Sequence, residues 1–361
     1  MHPRSEASGN GGAARPGPGT RTQVGLIGLG HWGPNLLRVL ADRPDVEMRW
    51  ICDVRDDRLE DFARRYPAAQ PTKHSSDLFG DPTLDAVLIA TPVFTHFELA
   101  SQSLEARKHT FVEKPLAASN GEVDQLLRLA RGSRLALMCG HTFLYSPSVR
   151  AVKELLDSGE LGEIYFISSS RVNLGLHQPD VSVVWDLGPH DFSILRYWLN
   201  ELPESISAMG RDSIVEGIPD VAFLSLRFPC GTVANLEMSW LAPSKLRRTV
   251  LVGSEKMVVY EEGGYEPVRV FDHGVVYRDP ETFGEYQLSY RTGDILSPKV
   301  EGAEPLALEI DDFIRSIHRG SAPEGHIEVC RDVVRMIEAA DASLSDAGSP
   351  VPVSGEGIAA G

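Results

Sequence analysis

The run Gly28-Leu29-Gly30-His31-Trp32-Gly33 follows an apolar segment, residues 24–28, and leads into one with Trp32, Leu36, Leu37 and Leu40 at helical spacing. A strand, a glycine turn and a helix in that order restrict a fold more than composition does. The first glycine permits the tight turn, the second lets the backbone approach a pyrophosphate, and the third lets helix and strand pack closely, with phosphates at the positive helix end. Asp53 ends the next apolar run about 20 residues on, where a carboxylate accepts both hydroxyls of an adenosine ribose. Gly28, Gly30, His31, Trp32, Gly33 and Asp53 are therefore predicted to hold a dinucleotide. A carboxylate repels a 2′-phosphate, so NAD is expected over NADP, with Arg55 and Arg58 keeping NADP as the alternative.

Short apolar runs continue to alternate with helical periods as far as Gly140, the pattern of a doubly wound parallel sheet, an α/β Rossmann domain. Leu59, Phe62, Ala63 and Tyr66 share a helix face; residues 86–90 and 110–112 read as buried strands. Ser119 and Glu122 form a capping box ahead of Val123, Leu126, Leu127 and Ala130, and residues 135–139 read as the closing strand. Two of these strands end in motifs. Thr91-Pro92 with His96 follows the first and Glu113-Lys114-Pro115 the second, at the carboxyl edge where ligands of doubly wound sheets collect. Thr91, Pro92, His96, Glu113 and Lys114 are expected to border the cofactor, the alternative for Thr91 being a helix cap.

A chain of 361 residues exceeds the ~250 at which single cores stop growing, so a second domain is expected. Past a linking helix with Val149, Val152, Leu155 and Leu156, the period becomes two: Ala234, Leu236, Met238 and Trp240 alternate with polar residues. Residues 221–228 pair with that strand through Pro229-Cys230-Gly231, and further strands are predicted at 249–252, 256–260 and 268–271. The second domain reads as α+β with a large, mostly antiparallel open sheet. Two amphipathic helices close it, one with Leu306, Ile310, Phe313, Ile314 and Ile317, the other with Val333, Ile337, Ala340 and Leu344. The expected boundaries are a disordered extension over 1–20, the Rossmann domain over 21–145, the α+β domain over 146–345 with its last helices packing back on the first, and a tail over 346–361.

A net charge of −16 without a basic patch disfavours nucleic acid and anionic membranes as partners. No run approaches the ~18 apolar residues of a membrane span. Residues 1–20 lack the apolar core of a secretory signal. Cys52, Cys139, Cys230 and Cys330 stand apart, which argues against a disulfide scaffold or a structural metal and for the cytoplasm.

Alone, the Lys114-Pro115 step would be a surface loop and Asp186 and His190 a helix-start acid and a satisfied polar histidine. In this setting the Lys114 ammonium suits the oxygen of a reacting alcohol or ketone. Asp186 and His190, four residues apart, share a face if helical, and an imidazole can remove a hydroxyl proton as hydride leaves the same carbon.

With the glycine loop, Ala90-Thr91-Pro92 and His96, Glu113-Lys114-Pro115, and Asp186-Leu187-Gly188-Pro189-His190 in this order, residues 22–345 resemble the Gfo/Idh/MocA oxidoreductases. The resemblance implies an enzyme with Lys114, Asp186 and His190 as its catalytic residues, and a sheet that builds a homodimer or homotetramer. Some reductase members carry Tyr where this chain has His190, so an oxidising dehydrogenase is implied. Gly140-His141 before Pro147, and Arg171-Val172-Asn173, look most like nucleotide-sugar 3-dehydrogenases, although Phe143-Leu144-Tyr145 lacks the arginine several of them place there. That likeness adds Tyr145, Arg171 and Asn173 to Lys114, Asp186 and His190 as substrate-binding residues. The alternatives are an inositol, aminocyclitol or aldose dehydrogenase, an NAD(P)H-dependent keto-sugar reductase, and a non-enzymatic dinucleotide sensor.

Overall fold

The computed structural model describes residues 21–175, 181–278 and 287–353; the extension expected over 1–20 and the end of the tail lie outside them. One compact unit takes the chain up to Gly140 and again over Glu309–Ile327; the other takes His141–Leu308 and the chain from Glu328 onward.

In the first unit β1 (Thr22–Ile27), α1 (Gly33–Ala41), β2 (Val46–Cys52), α2 (Asp56–Arg65), β3 (Gln70–Thr72), α3 (Ser75–Gly80), β4 (Ala86–Ile89), α4 (His96–Glu105), β5 (His109–Val112), α5 (Asn120–Ser133) and β6 (Leu137–Cys139) alternate. The six strands are parallel in the order β3-β2-β1-β4-β5-β6. All four residues of β4 and of β5 are buried, as a central parallel strand covered on both faces requires. Order reverses between β1 and β4, and ligands of such sheets bind outside the strand ends at that point. Trp32, expected on the buried face of the first helix, instead precedes it as its N-cap and is 36% exposed.

The capping box at α5 forms with one change. Ser119 accepts from the Glu122 N–H at 3.3 Å, but the Glu122 carboxylate reaches past its usual partner to the N–H of Ala118 at 3.0 Å. Thr91 caps neither of the next two helical turns; Pro92 and Thr95 stand at those positions.

The second unit holds α6 (Pro147–Asp157), β7 (Ile164–Leu174), α7 (Val183–Leu199), β8 (Ser205–Arg211), β9 (Val221–Arg227), β10 (Val233–Ser239), β11 (Leu241–Gly253), β12 (Met257–Glu261), β13 (Val268–Arg278) and β14 (Gln287–Leu296). Two helices follow, α8 (Pro305–Arg319), most of which belongs to the first unit, and α9 (Glu324–Ser345), most of which belongs to the second, then the edge strand β15 (Val351–Pro352). Among the described residues the sheet runs β14-β13-β12-β11-β7-β10-β9-β8-β15. Every pairing is antiparallel except that of β7 with β10. The β9–β10 hairpin closes at Gly231, whose φ of +90° suits glycine, with the Phe228 N–H donating to the Thr232 carbonyl at 3.0 Å. Phe313 of α8 meets Phe111 of β5 edge to face at 5.5 Å, a pairing that adds ~0.5–1.5 kcal/mol to the area it buries.

Candidate active site

The glycine loop is shaped by three different demands. Gly28 has φ of +97°, and a Cβ there would run into the Ala90 carbonyl at the end of β4. A Cβ on Gly33 would overlap the Gly28 carbonyl, so only glycine lets α1 start this close to the loop. Gly30 is different: a Cβ there would meet no protein atom within 4 Å, so nothing in the chain's own packing asks for glycine. Helix α1 has no side-chain cap and no acid in its first turn, leaving its positive end for an anion. The bare backbone at Gly30 and that helix end fit the close approach of a pyrophosphate.

Asp53, just past β2, is 7% exposed. Its Oδ2 accepts the Leu29 N–H at 2.8 Å, tying it to the loop, and its Oδ1 accepts the Arg55 N–H at 3.0 Å. Arg55 Nε lies 3.2 Å from Oδ1. Burial pulls this carboxyl upward, but the bonds from Arg55 and Leu29 outweigh it and hold it below the ordinary aspartate value. A charged acceptor therefore stands beside the glycine loop.

At the ends of β4 and β5, His96 is 1% exposed and stands between two main-chain carbonyls, Nδ1 2.8 Å from Pro115 O and Nε2 2.8 Å from Thr91 O. It joins the Thr91 loop to the loop carrying Lys114. Burial pushes its pKa below the usual histidine value, and the Lys114 charge adds to this against the pull of the two carbonyls. Lys114 is half-buried, and its bond to Pro115 is cis. His31 and Pro92 are exposed.

Glu113 is 8% exposed; its Oε2 accepts the Lys114 N–H at 3.3 Å, while Oε1 is buried without a hydrogen-bond partner. Gly140, at the end of β6, makes room for it: a Cβ there would sit 3.0 Å from Oε2. Burial raises this carboxyl to about 8, against the opposing pull of Lys114. The fold therefore favours the protonated form, and stability should fall as pH rises from the ordinary 4.5 towards about 8, while the unfolded chain alone has lost the proton. Glu113→Gln is expected to remove that decline. Thermal melts across the interval check this, and parallel pH curves for variant and wild type would contradict it.

In the second unit, Asp186 and His190 lie on one face of α7, a turn apart, both half-buried. Phe143, which follows β6 in a short 3-10 turn, meets the His190 ring edge to face at 4.9 Å. The Arg171 guanidinium lies over the same phenyl ring, 4.9 Å from its centre. Arg171 is 3% exposed; its Nε donates to Asp191 at 2.7 Å and its Nη1 to Glu262 at 3.3 Å, and Glu262 is also bonded by Arg247. The arginine is thus held by two carboxylates beneath Phe143. Tyr145 is 6% exposed with Arg150 over its ring, and Asn173 is half-buried in β7. Sequence reasoning missed two neighbours of the α7 pair: Phe143, and Trp240, whose Nε1–H donates to Asp186 Oδ2 at 3.1 Å. Trp240 gave a signal only as the last apolar position of a strand.

Among the described residues no helix is long and apolar enough to cross a membrane. Residues 22–141 match the model of an oxidoreductase family with an NAD-binding Rossmann fold, and residues 149–259 match the Gfo/Idh/MocA C-terminal domain. A myo-inositol 2-dehydrogenase of Thermotoga maritima is 27% identical over 67% of this chain and 73% of its own length. A dTDP-3,4-didehydro-2,6-dideoxy-alpha-D-glucose 3-reductase of Actinomadura kijaniata is 32% identical over 46% of this chain and 50% of its own. The crystal structure of GenD2 from gentamicin A biosynthesis, in complex with NAD, superposes with a TM-score of 0.78 over 98% of this chain and 99% of that one; at 23% identity the likeness is one of fold. The two family models together take in well over half of the sequence, and the chain belongs to the Gfo/Idh/MocA family of NAD(P)-dependent oxidoreductases.

Proposed function

We propose that the protein oxidises a secondary ring hydroxyl, at C3, of a sugar or sugar nucleotide to a ketone, with NAD as the acceptor. The observation that carries this reading is the pair on α7, a carboxylate and an imidazole one turn apart and each held by an aromatic residue. NAD, when bound, accepts hydride at nicotinamide C4. Lys114 hydrogen-bonds the reacting oxygen and stabilises its developing charge, His190 takes the hydroxyl proton, and Asp186 orients the ring and the imidazole. Tyr145 and Asn173 border the substrate, whereas Arg171, engaged by Asp191 and Glu262, acts from beneath Phe143.

The ionised Asp53 supports NAD over NADP. Asp53→Ser is expected to weaken NAD and to narrow its advantage over NADP, since Arg55 is then released from its carboxylate. Binding titrations with both cofactors measure this, and an unaltered ratio of affinities would remove Asp53 from the ribose site.

A homo-oligomer built on the large sheet fits the side chains on one of its faces. Met209 and Phe223 are cross-strand partners, as are Phe166 and Val233, and all four are exposed. A second reading, oxidation of an inositol, takes its support from the name of the Thermotoga maritima relative. Labelling separates the two. A nucleotide hexose deuterated at C3 should deliver the deuterium to the nicotinamide; unlabelled NADH would place the reaction at another carbon, and turnover of inositols alone would favour the second reading.

A further inference from the structure

Trp240 stands between β10 and β11, and two separate segments fix its backbone. Its N–H donates to the Asp220 carbonyl at 3.0 Å, and its own carbonyl accepts the Gly175 N–H at 2.9 Å. Asp220 is itself fully buried, with Oδ2 accepting the N–H groups of Ser213 and Ile214 at 2.8 Å each. Gly175 also makes room for the indole: a Cβ there would lie 2.9 Å from Cδ1 of the ring. The side chain is 1% exposed and continues the buried row of Ala234, Leu236 and Met238.

The indole does more than fill that volume. Its distinguishing feature is one polar atom, a donor that cannot accept. That donor is directed at Asp186. Asp186 lies in the first turn of α7, and on the adjoining residue the Trp185 indole bonds the Asp341 carboxylate of α9, so consecutive side chains anchor this helix start to two different elements. A carboxylate bonded by a donor that the backbone holds immobile loses freedom about its own side-chain torsions, and misplacing a reacting group slows catalysis with little change in binding.

We propose that Trp240 is a positioning residue of the reaction, its indole N–H fixing the Asp186 carboxylate in the orientation used in turnover. The inference rests on the reading of Asp186 as part of the catalytic pair, and a double-mutant cycle on the full-length protein separates the two claims. Trp240→Phe should lower kcat by ~10-fold or more, the scale of a lost hydrogen bond to a charged group, with the NAD dissociation constant unchanged. Asp186→Asn should lower kcat further. In the Asp186→Asn background, Trp240→Phe should then cost nothing more, because the carboxylate whose orientation it sets is no longer there. Gly175→Ala, which crowds the indole without deleting it, should follow the same pattern and carries the test if Trp240→Phe fails to fold. Full multiplication of the two single effects would make Trp240 a packing residue and overturn the inference, as would an unchanged kcat in both Trp240→Phe and Gly175→Ala. A wild-type kcat for Asp186→Asn would remove the underlying reading as well.

Discussion

His190→Ala is expected to bind NAD as the wild type does and to turn over ~10²-fold or more slowly, the scale of a lost general base. His190 is half-buried on α7, and its ring is braced by Phe143, which in turn lies against Arg171 held by Asp191 and Glu262. His190 is not among the residues proposed to hold the dinucleotide, so its loss should appear in kcat and leave cofactor affinity alone. Lys114→Ala should cause a loss of similar size by a different route, since an ammonium that stabilises oxyanion charge acts mainly in the transition state. Stopped-flow turnover together with NAD titration would measure both variants. Near-normal rates in the two of them would sink the catalytic assignment, whatever the substrate.

The second large effect concerns two glycines of one loop. Gly33→Ala places a methyl group against the Gly28 carbonyl, both of them backbone positions with no flexible side chain to move. Either α1 retreats from the sheet or the loop opens, so the variant should melt lower, by the ~1–3 kcal/mol typical of overpacking, and lose most of its affinity for NAD. Gly30→Ala should do the reverse: no protein atom lies within 4 Å of the added methyl, so the melting temperature should hold while NAD binding weakens. Thermal melts with and without NAD distinguish the two. Equal stability losses would mean that Gly30 serves the chain's own packing, and an intact affinity in Gly30→Ala would refute the pyrophosphate approach at that residue.

The parts of this structure that the sequence foretold are those ruled by neighbours a few residues apart. The strand, turn and helix around Gly28, the capping serine at α5 and the β9–β10 hairpin all follow from local backbone demands, and each forms close to its expected place. Strand β3 escaped notice because Gln70-Pro71-Thr72 has no apolar pattern; it owes its place to pairing with β2. Nothing local announces that β7 runs parallel to β10 inside an otherwise antiparallel sheet. The same holds for the site. That Asp186 and His190 would share a face was readable because four residues make one helical turn, and that Asp53 would lie beside the glycine loop because a strand end fixes the distance. By contrast, Arg171 meets Asp191 from 20 residues away, His96 reaches Pro115 from 19, and Trp240 reaches Asp186 from 54. Such pairings are set by tertiary packing, and no periodicity encodes them. They are also what turns a set of suitable residue types into fixed side chains.

If this chain passes hydride from a ring carbinol to NAD, NADH must appear in the spectrophotometer. Purified protein with NAD is to be offered UDP- and TDP-hexoses, hexose phosphates, free aldoses and inositols. NADH is expected to form with a sugar or sugar nucleotide, and its formation to be abolished in His190→Ala. Silence across the panel, from a folded protein that binds NADH tightly, would contradict that transfer and leave a dinucleotide-binding protein that does not oxidise these alcohols.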